Sequence, residues 1–138
     1  MKYSENIDYL VSSILYLGSH ADYWARTPGG LAKEIAVDED RLRAVFEGFP
    51  SIYRRSPGTD EKGQYRYSLQ ARYAQREGRG QDPGSIPPLE TEKIDMLLNF
   101  VTTMTEQEKT GRQVRLTNRV AAGAAVIAAV AAIVAAAI

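Results

Sequence analysis

A mainly helical, α+β chain with a small globular part and a C-terminal membrane helix is the fold class this sequence predicts. Three observations predict it. Apolar residues recur at three-to-four spacing from Ile7 to Phe46 and again from Ile94 to Met104. Between those stretches Tyr65, Tyr67 and Leu69 alternate at period two, the spacing of a strand with one buried face. Val120–Ile138 holds only Ala, Val, Ile and one Gly, and as a helix it would cover ~28 Å, close to the hydrocarbon thickness of a bilayer. The expected organisation is three helices plus a β-hairpin over residues 1–75, a Gly/Pro linker over 76–88, an amphipathic juxtamembrane helix over 89–118 and a transmembrane tail anchor over 119–138.

Each element has a local cause. Ser4 or Asn6 is placed to cap a first helix whose apolar positions are Ile7, Leu10, Val11, Ile14, Leu15 and Leu17, with Gly18 near its end. Ala21–Arg26 reads as a connector whose Tyr23 and Trp24 lid the core. Thr27-Pro28 supplies an N-cap followed by proline at the first helical position, where a missing N–H costs nothing. Leu31, Ala32 and Ile35 form the buried face of that short helix. Asp38 caps a third helix with Leu42, Val45 and Phe46 inside, and Gly48-Phe49-Pro50 ends it. Ile52–Arg55 reads as extended, Ser56–Gly63 as a polar turn and Tyr65–Leu69 as the return strand.

The glycines, prolines and charges of Gln75–Pro88 cannot pack a core and mark a linker. Beyond it, Ile94, Leu97, Leu98, Val101 and Met104 make an apolar stripe that needs a partner surface: the globular part, a second copy, or the lipid interface. Gly111 is the weak point of this helix. Lys109, Arg112, Arg115 and Arg119 precede the apolar tail, and no acidic residue follows Glu108. That bias places the N-terminal part on the cytoplasmic side of a single-pass membrane protein, in the inner membrane if the chain is bacterial. Ala124, Ala128, Ala132 and Ala136 form a row of small residues that lets helices approach closely, so a homo-oligomer through the tail and residues 89–118 is a further expectation.

Charge and composition narrow the chemistry. Lys and Arg number 17 and Asp and Glu 17, so no global basic field points to nucleic acid. With no cysteine, disulfides, thiolate metal sites and a cysteine nucleophile are excluded. His20, the single histidine, follows the first helix, where a cation is favourable. Asp38-Glu39-Asp40 has no His or Cys beside it and reads as capping and first-turn carboxylates. Thr27-Pro28-Gly29-Gly30 lacks the lysine and spacing of a phosphate loop. No nucleophile–base pair, metal cluster or cofactor fingerprint stands out, so neither catalysis nor a cofactor is expected.

The spacing Thr27-Pro28-x-x-Leu31-Ala32-x-x-Ile35-x-Val37-Asp38-x-x-x-Leu42 resembles a helix-turn-helix, and with the hairpin behind it residues 5–75 resemble the winged-helix fold. The resemblance implies that the third helix is a recognition helix presenting Glu39, Asp40, Arg43 and Glu47, with the hairpin as the wing. Three carboxylates at Asp38–Asp40 suit approaching phosphates poorly. The wing carries Arg54, Arg55, Lys62 and Arg66, and its basic edge continues through Arg72, Arg76 and Arg79. Tyr53, Tyr65, Tyr67 and Tyr73 are interleaved, as core residues or as surfaces for stacking bases. The functional expectation is a non-enzymatic docking or assembly module, presented to the cytoplasm from the membrane to a protein partner. A membrane-tethered DNA-binding regulator is the alternative, and a membrane-active effector the lesser one.

Overall fold

The computed structural model describes residues 1–76 and 86–114. The elements run α1 (Ile7–Ser19), β1 (Ala25–Arg26), α2 (Pro28–Ile35), α3 (Glu39–Gly48), β2 (Tyr53–Thr59), β3 (Tyr65–Leu69), α4 (Gln70–Tyr73) and α5 (Thr91–Val114). The three strands form one antiparallel sheet in the order β1-β3-β2. This mixed α/β architecture has five helices and a three-stranded sheet among the described residues; over residues 1–75 it corrects the expected three helices plus hairpin to four helices and three strands, while α5 lies within the helix expected over 89–118.

Side-chain caps set two of the helix starts. Thr27 Oγ1 accepts from the Gly30 N–H at 3.1 Å and Asp38 Oδ2 from the Arg41 N–H at 2.8 Å, each satisfying a donor the first turn leaves free. The start of α1 is different. Asn6 holds the N-cap position without capping, because its side-chain amide donates to the Lys2 carbonyl. Ahead of the helix, the N–H groups of Tyr3 and Ser4 reach the two carboxylate oxygens of Glu108 on α5, both at 2.8 Å. At the end of α2, Ala36 adopts φ 56° and the Val37 N–H returns to the Ala32 carbonyl.

The hairpin is longer than expected. β2 continues through Ser56-Pro57-Gly58 to Thr59, with irregular pairing between Arg55 and Thr59. That irregularity accommodates Pro57, which has no N–H for a ladder bond. Ser56 Oγ accepts from the Arg66 N–H and donates to the Gly58 carbonyl, replacing the lost pairing. The turn itself is Asp60–Gln64: Asp60 Oδ1 accepts from the Lys62 and Gln64 N–H groups, and Gly63 takes φ 75°.

One core joins the helices to the sheet, with the short α4 contributing Ala71 at its margin. Leu10, Ile14 and Leu17 of α1, Leu31 of α2, Leu42, Val45 and Phe46 of α3, and Tyr53, Tyr67 and Leu69 of the sheet are all buried in it. Leu15, expected inside, is exposed. α5 packs along α1 and adds Ile94, Phe100 and Val101 to the same cluster, with Leu97, Leu98 and Met104 packed against it. Of the three destinations open to the apolar stripe, the described contact is with the globular part. Phe100, outside the expected stripe, meets Tyr3 edge-on with centroids 5.7 Å apart.

Gly18 allows the close approach of the segment before α5. A Cβ there would meet Leu69, Ile94 and Leu89 side chains at 3.3–3.5 Å, and the Gly18 carbonyl accepts from the Leu89 N–H at 2.8 Å. Arg72, expected on a basic edge, is fully buried. Its guanidinium donates to the Leu17 carbonyl at 2.9 Å and to the Ile86 carbonyl at 3.0 Å. A cation at the C-terminal end of α1 is favoured by the helix dipole, and here it also ties residue 86 to the domain.

The membrane anchor requires correction. Among the described residues no helix is long and apolar enough to cross a membrane. α5 is described to Val114 and is amphipathic, with polar positions between its buried ones. The tail assigned to 119–138, with Ala124, Ala128, Ala132 and Ala136, lies outside the described residues, as do Arg115, Arg119, Arg79 and most of the expected linker.

Candidate functional site

The residues expected to read DNA are occupied with one another. α3 begins at Glu39, so Glu39 and Asp40 stand one turn before Arg43 on the same face. Arg43 binds Glu39 Oε1 at 2.9 Å and Asp40 Oδ1 at 3.0 Å. Both pairs are partly exposed, so each adds only about 0.2–1 kcal/mol of stability; their effect is to neutralise the one arginine of that face. Glu39 also leans over the first turn of α2, where a Cβ on Gly29 would meet its carboxylate oxygens at 3.1 and 3.3 Å. The positive end of α2, where a phosphate would be stabilised, already faces a carboxylate. Glu47, the last expected recognition residue, accepts from the Tyr67 hydroxyl at 3.4 Å. Burial, then the charge of Glu47 and this bond, push the Tyr67 hydroxyl above its ordinary pKa.

Between α2 and the wing lies a cleft of about 670 Å³, lined by Thr27, Gly29, Gly30 and Lys33 on one side and by Asp60, Lys62 and Arg66 among others opposite. Its charges are of both signs. Lys62 sits at the exposed hairpin turn and Arg66 on the exposed side of β3. Arg55, also exposed, stacks over Tyr65 at 4.3 Å from the ring centroid.

Arg54 faces a different neighbourhood. The register pairs it with Ser68 of β3, and Ser68 is paired in turn with Ala25 of β1, so Arg54 and the start of β1 share one row of the sheet. Tyr73 of α4 covers this row: the Arg54 guanidinium lies 3.7 Å from its ring centroid and that of Arg76 4.8 Å. Trp24 lies 5.9 Å from the same ring. Tyr23, next in sequence, is 49% exposed and stacks with Arg26 at 4.4 Å. The expected lid is therefore a surface feature. Sequence reasoning missed this belt because β1 is two residues long and α4 four, too short to show a period.

The remaining predicted residues separate. Tyr53 and Tyr67 are core residues packed on Phe46 at 4.7 and 4.9 Å, so neither is a stacking surface for bases. Burial, opposed by a hydrogen bond with Ser13, raises the Tyr53 hydroxyl far above its ordinary range. His20 Nδ1 accepts from the Asp22 and Tyr23 N–H groups at 3.1 and 3.0 Å, so its ring holds the turn that follows α1. Lys109 is exposed on α5, and Arg112 falls in its last described turn. Among the described residues no group of three or more His, Asp or Glu side chains is arranged to hold a metal ion. Comparison with family models, with curated proteins and with solved structures returns no match.

Proposed function

We propose that this chain is a non-enzymatic protein-docking module built on a winged-helix-like domain. The order helix–strand–helix–helix–strand–strand, with β3 between β1 and β2, supports the resemblance. Such a domain serves docking as readily as DNA binding, so the decision rests on the surface. The observation that carries the docking reading is the pairing of Arg43 with Glu39 and Asp40, with the Glu39 carboxylate over the N-terminus of α2. Duplex binding draws its affinity from unpaired cations that displace counterions, and this face offers none.

DNA binding is the second reading, and the cations of the wing favour it: Arg54, Arg55, Lys62 and Arg66 make no ion pair among the described residues. The two readings part in a salt series. The full chain is incubated with a pool of random DNA duplexes, and bound sequences are counted as salt rises. Docking predicts weak binding that vanishes toward physiological salt and enriches no sequence. One enriched sequence, still bound near physiological salt, would overturn the docking reading in favour of a DNA-binding regulator.

A further inference from the structure

Tyr73 carries two guanidinium groups on one ring, those of Arg54 and Arg76, and the Arg76 guanidinium also donates to the Tyr73 hydroxyl. Stacking uses the flat face of a guanidinium and leaves its in-plane donors available. Arg54 makes no hydrogen bond or ion pair among the described residues, so its bidentate fork has no acceptor there. Two like charges near one ring repel, and an anion on the Arg54 fork relieves that repulsion while gaining charge-assisted hydrogen bonds. Beside them Trp24 is partly exposed and Tyr23 half-exposed. Tryptophan, tyrosine and arginine together, around a flat anchor, make the composition of a protein-binding hot spot.

The geometry points to the Trp24–Tyr73–Arg54–Arg76 belt as the docking site, and to an acidic segment of a partner protein as its occupant: a carboxylate on the Arg54 fork and an apolar side chain on Trp24. This rests on the docking reading and locates it on the β2–α4 edge, away from α3. Charge complementarity selects the occupant, because the belt joins cations that make no ion pair among the described residues to aromatic faces, while the α3 face is already rich in carboxylates.

The test selects a random peptide display library on the immobilised full chain and measures the enriched peptides by fluorescence. Trp24 is the chain's single tryptophan, so its emission reports occupancy of the belt directly. Enriched peptides should place Asp or Glu beside Leu or an aromatic residue and shift that emission. Arg54→Glu should weaken them about tenfold or more, Arg54→Lys less, and Arg41→Glu, on α3 against Tyr9 and outside the belt, hardly at all. Far-UV circular dichroism and the urea midpoint confirm that each variant is folded. Acidic peptides that bind equally well to Arg54→Glu and leave the Trp24 emission unchanged would overturn the belt while sparing the docking reading. A library that enriches nothing overturns the belt, and a duplex sequence enriched in the salt series overturns the docking reading beneath it.

Discussion

Glu108→Gln should loosen α5 from the start of the chain. Glu108 Oε1 and Oε2 each accept a backbone N–H at 2.8 Å, from Tyr3 and Ser4, bonds that span 105 and 104 positions. Hydrogen bonds to a charged acceptor are worth about 1.5–3 kcal/mol each. Both here are only part-buried, so water replaces some of the loss, and Gln keeps one acceptor oxygen while turning donors toward the second N–H. The expected cost is about 2 kcal/mol. Urea denaturation followed by Trp24 emission measures it. The pH dependence is the sharper check. Burial raises the Glu108 pKa, but the bonds from Ser4 and Tyr3 and the charge of Lys2 outweigh it, leaving the folded value below the ordinary 4.5. A depressed folded pKa means that the carboxylate's stabilisation is complete above 4.5 and disappears as pH falls through the folded value. The gap between wild type and Glu108→Gln should therefore be full at neutral pH and close progressively in acid. A gap that stays constant from pH 7 into strong acid, or a variant as stable as wild type at pH 7, would refute the assigned role.

Three further expectations follow from the contacts described. Arg72→Met removes donors from the Leu17 and Ile86 carbonyls but also the cost of burying a charge, for a net loss of about 2 kcal/mol in thermal or urea unfolding. Proteolysis at residues 86–90 should accelerate in that variant. Ala36→Gly should stabilise the fold by about 0.5–1 kcal/mol, because φ 56° strains a Cβ and glycine relieves it; a lower melting temperature would contradict this. Glu39→Gln with Asp40→Asn should release Arg43, raising low-salt affinity for random duplex DNA and steepening the salt slope by about one unit.

Local chemistry was readable in the residues themselves. The Thr27 and Asp38 caps and the apolar faces of α2 and α3 depend on neighbours within about four positions, and the sequence displays those neighbours directly; the one-sided period read for β3 did not hold, because Ser68 is buried beside Tyr67 and Leu69. The absence of cysteine settled thiol chemistry before any fold was known. Tertiary structure decided what depends on distant residues. It buried Arg72, which by composition belonged with the basic edge, left Asn6 at the start of α1 without a side-chain cap, and tied Tyr3 and Ser4 ahead of that helix to Glu108. It laid the stripe of α5 along α1, and it turned Trp24 and Tyr73, 49 positions apart, into one surface with Arg54. Periodicity shows that a face must be covered, but only packing chooses the cover, because burial energy is non-directional and any apolar surface of suitable shape meets the requirement.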